Sequence, residues 1–274
     1  MDIENKVKAT IKRYSLLKKS DNILVAASGG KDSTTLLYIL KKLGYKIQAI
    51  TIDPNIGAYS RTNIKNLKSF CKKNSIPLHI YSFRQEFGYS LCYLHSLVEE
   101  KGINQKQCTI CGVLRRYIIN KKARSLKATK LVTGHNLDDE AQSILMNLLK
   151  NDFQLLPRLG PKAGTTKDKK FIPRVKPLYF IKEKEITAYS KKHRFPVNYQ
   201  SCPCSSEVFR RYILNRLNIL EKKHPKIKQN IINNFLNLLP KIKKQSQKIG
   251  YCKNCSEPAK QDICSTCRII ESIK

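Results

Sequence analysis

The chain has 274 residues, enough for one large domain or two modest ones, and its 41% hydrophobic content is that of an ordinary folded protein. Its 53 lysines and arginines face only 20 aspartates and glutamates, a net charge of +33, which points to a polyanionic partner and to nucleic acid before membrane. No apolar run approaches the roughly 20 residues of a membrane span. The opening stretch MDIENKVKATIKRYSLLKK mixes acids with its bases around no apolar centre, so neither a membrane protein nor a signal peptide is expected, and the location expected is cytoplasmic.

Helical periodicity runs over 5–18 through Val7, Ile11, Leu16 and Leu17, and ILVAA (23–27) follows as a buried strand. The apolar spacing over 32–44 predicts a helix ended by Gly44, then a strand over 46–53, a helix over 59–74 and a strand over 78–83. A helix is expected around 86–100 and another beginning near Cys111, followed by a strand over 130–134 and a helix over 138–151. Strands alternating with helices of this length predict an α/β fold with a parallel sheet. Residues 152–180, with four prolines, read as loop; 182–195 read as helix, and two basic helices are expected over 205–222 and 226–248, split by Pro225. Cys71 and Cys92 stand alone in apolar patterns and are expected in the core. Tyr212, although able to stack on a base, is also expected in the core.

SGGKDS (28–33) falls between the first strand and the second helix. A Gly-rich turn there offers backbone N–H groups to an anion at a helix N-terminus, Gly29 and Gly30 permit close approach, and Lys31 adds charge. Neither GxxxxGK[ST] nor GxGxxG is present, which excludes a P-loop kinase and a standard dinucleotide binder. In this setting SGGKDS resembles the signature of the PP-loop ATP pyrophosphatases, which split ATP between the α- and β-phosphates and transfer AMP to an oxygen. Asp53 ends the second strand where α/β folds place an adenosine-binding residue. TGHNLDDEAQ (133–142) stands at a further strand–helix junction. Its Asp138, Asp139 and Glu140 either complement the helix dipole or, at Asp139, hold Mg²⁺ on the departing pyrophosphate. With the resemblance, the expected ATP site comprises Ala27, Ser28, Gly29, Gly30, Lys31, Asp32 and Ser33, together with Asp53, Gly134 and Asp139.

Of the ten cysteines, eight fall in CxxC or CxC pairs, the pattern of metal sites in a reducing compartment. Cys108 and Cys111, with Cys202 and Cys204 about 90 residues on, suit zinc or an iron–sulfur cluster. Cys252, Cys255, Cys264 and Cys267, at CxxC, eight residues, CxxC, suit a structural zinc knuckle. Taken in order, SGGKDS, CTICGVLRRY, TGHNLDDEAQ, RVKPL (174–178) and CP (202–203) are similar to the TtuA/NcsA-type tRNA 2-thiouridine synthetases over about residues 5–268.

That resemblance implies tRNA thiolation: ATP adenylates the oxygen on carbon 2 of a uridine, and sulfur displaces AMP. It implies a 4Fe–4S cluster on Cys108, Cys111 and Cys202, with one iron open to sulfide or to a ubiquitin-like sulfur carrier. Cys204 is then a spare thiol or a fourth, closing ligand. Asp32, Asp139 and Arg115 are the expected catalytic residues, Arg115 falling where relatives carry a Lys or Arg and serving as a charge stabiliser, since arginine is no base at neutral pH. Relatives usually carry a zinc finger at both ends, whereas this sequence opens on the helix before NILVAA with no cysteine ahead of it. More of the phosphate binding would then fall to 209–228, KIKK (241–244) and the C-terminal knuckle. The expected division is a PP-loop catalytic domain over 1–200, a basic helical extension over 201–248 and the zinc knuckle over 249–274. A second copy of the chain is a candidate partner. The alternatives are a TtcA-like cytidine-thiolating enzyme and a metal-stapled tRNA-binding protein without turnover.

Overall fold

The structure, a computed structural model, describes residues 2–164, 168, 170–205, 209–243 and 250–273. Asp2 caps α1 (Ile3–Arg13) by accepting from the Glu4 N–H, and Val7 and Ile11 turn its apolar face inward. β1 (Ile23–Ala26), α2 (Lys31–Lys42), β2 (Ile47–Asp53), α3 (Gly57–Lys73) and β3 (Leu78–Ser82) then alternate as the periodicity predicts. The helix expected around 86–100 is instead two, α4 (Phe83–Phe87) and α5 (Leu91–Glu100), because Gly88 at φ 84° ends the first in a left-handed cap. α6 (Gln107–Ser125) starts four residues earlier than the expected Cys111, so Cys108 and Cys111 both lie on it, one turn apart on one face.

β4 (Lys130–Thr133) and α7 (Leu137–Leu149) follow as expected. Residues 152–180, read as loop, contain two short strands, β5 (Lys162–Ala163) and β6 (Arg174–Val175), each too short to leave a period in the sequence. The chain ends in α8 (Glu183–Lys192), α9 (Phe209–Lys223), α10 (Ile227–Ile242), the hairpin β7 (Gly250–Tyr251) and β8 (Pro258–Ala259), and α11 (Ser265–Glu271). Residues 244–249, which hold the expected boundary between extension and knuckle, lie outside the described residues.

The sheet runs in the order β3-β2-β1-β4-β6-β5, parallel except for the antiparallel β5. From β1 the chain builds outward through β2 and β3, then crosses to β4 on the other side. That reversal opens a crevice beyond the carboxyl ends of β1 and β4, where open α/β sheets bind ligands. Both faces of the sheet are covered, as parallel sheets require. Val25 and Val132 pack with Leu36 and Leu40 of α2 on one side; Leu24 and Leu131 pack with Leu114 and Ile118 of α6 on the other. α9 and α10 join through Ile213, Leu217, Ile232 and Phe235, which bury against Leu137, Ala141 and Ile144 of α7. Ile269 of α11 packs into the α6 side of the core.

Cys71 is buried as expected, but Cys92 is exposed. α5 buries Leu91, Leu94 and Val98, which leaves Cys92 on its outer side. Among the described residues no helix is long and apolar enough to cross a membrane.

Candidate active site

The loop after β1 is fixed by close backbone approach. Ala27 N–H donates to the Ile50 carbonyl at 2.8 Å, and the chain then turns through Gly29 at φ +79°. A Cβ at Gly29 would stand 2.5 Å from the Asn63 carbonyl oxygen of α3, so no side chain fits there. Gly134, at the end of β4, lies so close to the start of α2 that its Cβ would be 3.1 Å from the Ser33 nitrogen. The Ser33 hydroxyl accepts from Ser28 N–H and donates to the Gly30 carbonyl, both at 3.2 Å, holding the loop open around the first N–H groups of α2.

Beside this loop, α2, α7 and α8 share an ion network. Lys31 Nζ stands 3.0 Å from Asp32 Oδ2 and 2.7 Å from Glu183 Oε1. Asn136 Nδ2 donates to Asp32 Oδ1 at 3.1 Å while the same residue caps α7 in a reciprocal box with Asp139, at 3.1 and 3.2 Å. Arg210 of α9 pairs with the other Asp139 oxygen at 3.2 Å. Burial raises the Asp32 pKa, and the Asp139 and Glu183 carboxylates add to it against the pull of Lys31. Burial works to lower Lys31, but Asp32 and Glu183 outweigh it and hold the ammonium charged.

The three acids at the start of α7 therefore divide. Asp138 accepts from the Glu183 N–H at 2.7 Å and pairs with buried Lys228, and Glu140 pairs with buried Lys176. Both are committed to structure, whereas Asp139 faces Asp32. The Asn136–Asp139 box was readable as N-x-x-D; Glu183 and Arg210, 152 and 71 residues from their partners, carried no local signal.

A cavity of about 280 Å³ opens beyond the carboxyl ends of the strands. Ser28 and Asp53 line it together with Cys108, Cys111, Cys202, Cys204 and Arg115. Asp53 is held by the Asn55 N–H at 2.7 Å. The fold thus joins Ser28 of the loop, Asp53 and the inner cysteines around one space. Lys31, Asp32 and Asp139 belong to the ion network, Gly134 packs against the start of α2, and Ala27, Gly29, Gly30 and Ser33 shape the loop without lining the cavity. Cys108 Sγ lies 3.1 Å from the Cys204 carbonyl oxygen, and Arg115 reaches Cys111. Burial pushes Cys108 and Cys111 up, the latter eased by Arg115, and Cys204 rises to about 12 through burial and neighbouring Cys202. These thiols are therefore held protonated, and would ionise only against a positive group such as a bound metal centre. Among the described residues only the outer cysteines form a set of three or more ligand atoms that all lie within 4.8 Å of one another. The inner set offers cysteine sulfurs as donors, the ligands that hold iron–sulfur clusters.

The outer cysteines converge. All four sulfurs lie within 4.8 Å, Cys255 and Cys264 at 3.7 Å. Zinc–sulfur bonds of about 2.3 Å in a tetrahedron give edges of about 3.8 Å, so this set fits zinc. Burial opposes ionisation of Cys252, but the N–H groups of Cys264, Cys255 and Asn254 draw it down to about 6. Burial and the other thiols push Cys267 up, so a full set of thiolates calls for a cation.

Tyr212 is not in the core: it is 53% exposed on α9, stacked near Phe209 with the Arg216 guanidinium 5.0 Å from its ring centre. Its neighbours Ile213 and Leu217 take the buried face of that helix, a turn apart.

A crevice at the switch point of a parallel α/β sheet, a Gly-Gly loop at its edge and four cysteines lining the same cavity are the features of a PP-loop nucleotide-dependent enzyme. The family model for the PP-loop domain matches residues 1–219. The tRNA-5-methyluridine(54) 2-sulfurtransferase of Pyrococcus horikoshii is 38% identical over 269 residues, spanning 97% of this chain and 83% of that protein. Cytoplasmic tRNA 2-thiolation protein 1 of Caenorhabditis elegans is 30% identical over 278 residues, 99% of this chain and 73% of that one. Among solved structures, the U34-tRNA thiolase NcsA from Methanococcus maripaludis, with its 4Fe–4S cluster, aligns at a TM-score of 0.82 and 28% identity over 98% of this chain and 86% of that chain. The chain belongs to the PP-loop family and, within it, to the TtuA/NcsA-type group.

Proposed function

We propose that this protein thiolates a tRNA uridine, adenylating the oxygen on carbon 2 and replacing it with sulfur. The observation that carries this is one cavity lined by Ser28 and Asp53 together with Cys108, Cys111, Cys202 and Cys204. Activation and sulfur delivery act on the same carbon, so their groups must face one space. Relatives named for tRNA 2-thiolation support the uridine reaction over cytidine thiolation and over binding without turnover.

In this reaction the uridine oxygen attacks the α-phosphorus of ATP and pyrophosphate leaves. Sulfur then bonds to carbon 2, and the oxygen departs with AMP. The residues from Ala27 to Ser33 and Gly134 would cradle the phosphates with backbone N–H groups, and Asp53 would bind the adenosine. Asp32 and Asp139, the latter close enough to oppose ionisation of Asp32, would hold Mg²⁺, with Arg210 released from Asp139. Lys31, kept charged by Asp32 and Glu183, positions Asp32. Arg115 would stabilise negative charge on the adenylated intermediate. Cys108, Cys111 and Cys202 would hold the 4Fe–4S cluster, which when bound supplies a Lewis-acidic iron for sulfide or a carrier's thiocarboxylate. The knuckle would hold Zn²⁺ and, with the basic α9 and α10, contact tRNA phosphates. The division into catalytic domain, basic extension and knuckle, and a cytoplasmic location, complete the proposal.

The test is anaerobically reconstituted protein with tRNA, ATP and sulfide. The expected products are AMP, pyrophosphate and a 2-thiouridine identified by nucleoside mass spectrometry, which also reads its position. Binding of tRNA without AMP release would overturn turnover; 2-thiocytidine would reassign the substrate base.

A further inference from the structure

Burial holds the His135 imidazole neutral just after β4, and four cations add to it: Lys176, Arg210, Arg174 and Arg116. Two are matched, Lys176 by Glu140 and Arg210 by Asp139. Arg116 and Arg174 have no carboxylate partner among the described residues, and they bear on each other as like charges. The fold brings them together from distant parts of the chain. Arg174 pairs in register with Leu131, so it shares the α6 side of the sheet with that residue, and Arg116 comes from α6 itself. The Arg174 Nε is buried with no hydrogen-bond partner. The Arg116 guanidinium folds back over Gly112, where a Cβ would stand 3.1 Å from its Nη1, and Gly112 lines the cavity beside Cys111.

We propose that Arg116 and Arg174 form a phosphate-binding subsite at the rim of the cysteine-lined cavity. Two planar guanidinium forks, one with an unused donor and neither neutralised, match the oxygens of a phosphoryl group better than any carboxylate-paired lysine nearby. Neutral His135, on which both arginines bear, adds no negative charge to compete with the anion. The glycine at 112 leaves the space that the Arg116 fork occupies at the cavity rim. The phosphoryl group belongs either to the nucleotide, as pyrophosphate or its precursor, or to the RNA backbone next to the target uridine. This subsite deepens, and rests on, the proposal that the protein uses ATP and tRNA.

The experiment compares wild-type full chain with Arg116→Gln, Arg174→Gln and Arg174→Lys. Inorganic pyrophosphate is titrated by calorimetry and unmodified tRNA by filter binding over a salt series. Pyrophosphate binding weakened about tenfold in each Gln variant, with tRNA unchanged, assigns the subsite to the nucleotide. Weakening of tRNA about tenfold, with the salt slope reduced by about 1 per arginine, assigns it to the RNA. Arg174→Lys should fall between wild type and Gln because it keeps charge and loses the fork. Neither ligand weakened more than twofold in folded Arg116→Gln overturns the subsite; that exposed position remains informative if Arg174→Gln fails to fold. Both assays read binding, so a wild-type protein that binds both ligands without thiolating refutes turnover and leaves this subsite standing.

Discussion

The inner and outer cysteines look alike in sequence, paired thiols at short spacing, and the structure separates them by what surrounds the sulfurs. The outer four come from one 16-residue stretch and close on a point, with backbone N–H groups aimed at Cys252. The inner four come from α6 and from a segment about 90 residues later, and they face a cavity shared with Ser28 and Asp53. A site that closes on itself staples a small fold, since a stretch with few apolar residues cannot otherwise offset its chain entropy. A site that opens onto a nucleotide loop has room for a substrate.

The sharpest way to break this contrast is to remove one cysteine from each set and measure both metals. Cys108→Ala, Cys111→Ala or Cys202→Ala should lower thiolation more than about 100-fold, beyond the loss typical of outer-shell changes at a metal site, with iron lost and zinc retained. Cys204→Ala should keep activity. Cys255→Ser should lose zinc, retain iron and lower the melting temperature by about 5 °C or more. A Cys204→Ala variant as damaged as the others would make the inner set a closed site and erase the distinction.

Next in size is the loop that faces the inner cysteines. Gly29→Ala places a Cβ against the Asn63 carbonyl at a positive φ and should cost about 1–3 kcal/mol in urea unfolding, with pyrophosphate binding lost as the loop shifts. Zinc content should not change. Retained pyrophosphate affinity in Gly29→Ala would show that the loop does not need this approach to α3.

Smallest is an acid effect that belongs to the inner region. Burial and four cations depress His135 to about 3, so the folded state keeps it neutral while the unfolded chain takes up a proton below about 6.5. Stability is therefore full above that pH and falls on acidification, by about 1 kcal/mol between pH 7 and 5.5. His135→Gln should flatten this part of the profile and leave the acid release of zinc from the knuckle unchanged, as read by a zinc indicator. An unaltered profile in His135→Gln would move the acid sensitivity to other groups.

The alternation of strands and helices, SGGKDS at a strand end and the spacing of both cysteine sets were legible because each is a local pattern: a period, a turn requirement or a ligand spacing. SGGKDS also differs from Walker A in its spacing, and its resemblance to the PP-loop ATP pyrophosphatases is what implies pyrophosphate release. The pairing of Lys31 with Glu183, of Arg210 with Asp139, and the convergence of Arg116 with Arg174 were not legible, because each joins residues far apart in the chain. Cys92 and Tyr212 show the same limit: an apolar context gives a residue's company along the chain, whereas the packed face of α5 or α9 decides which side is buried. Local rules follow from backbone geometry and ligand chemistry, which few residues suffice to state. The common cavity between the loop and the cysteines depends on how β1, β2, α6 and residues 202–204 come together, and only the tertiary structure sets that.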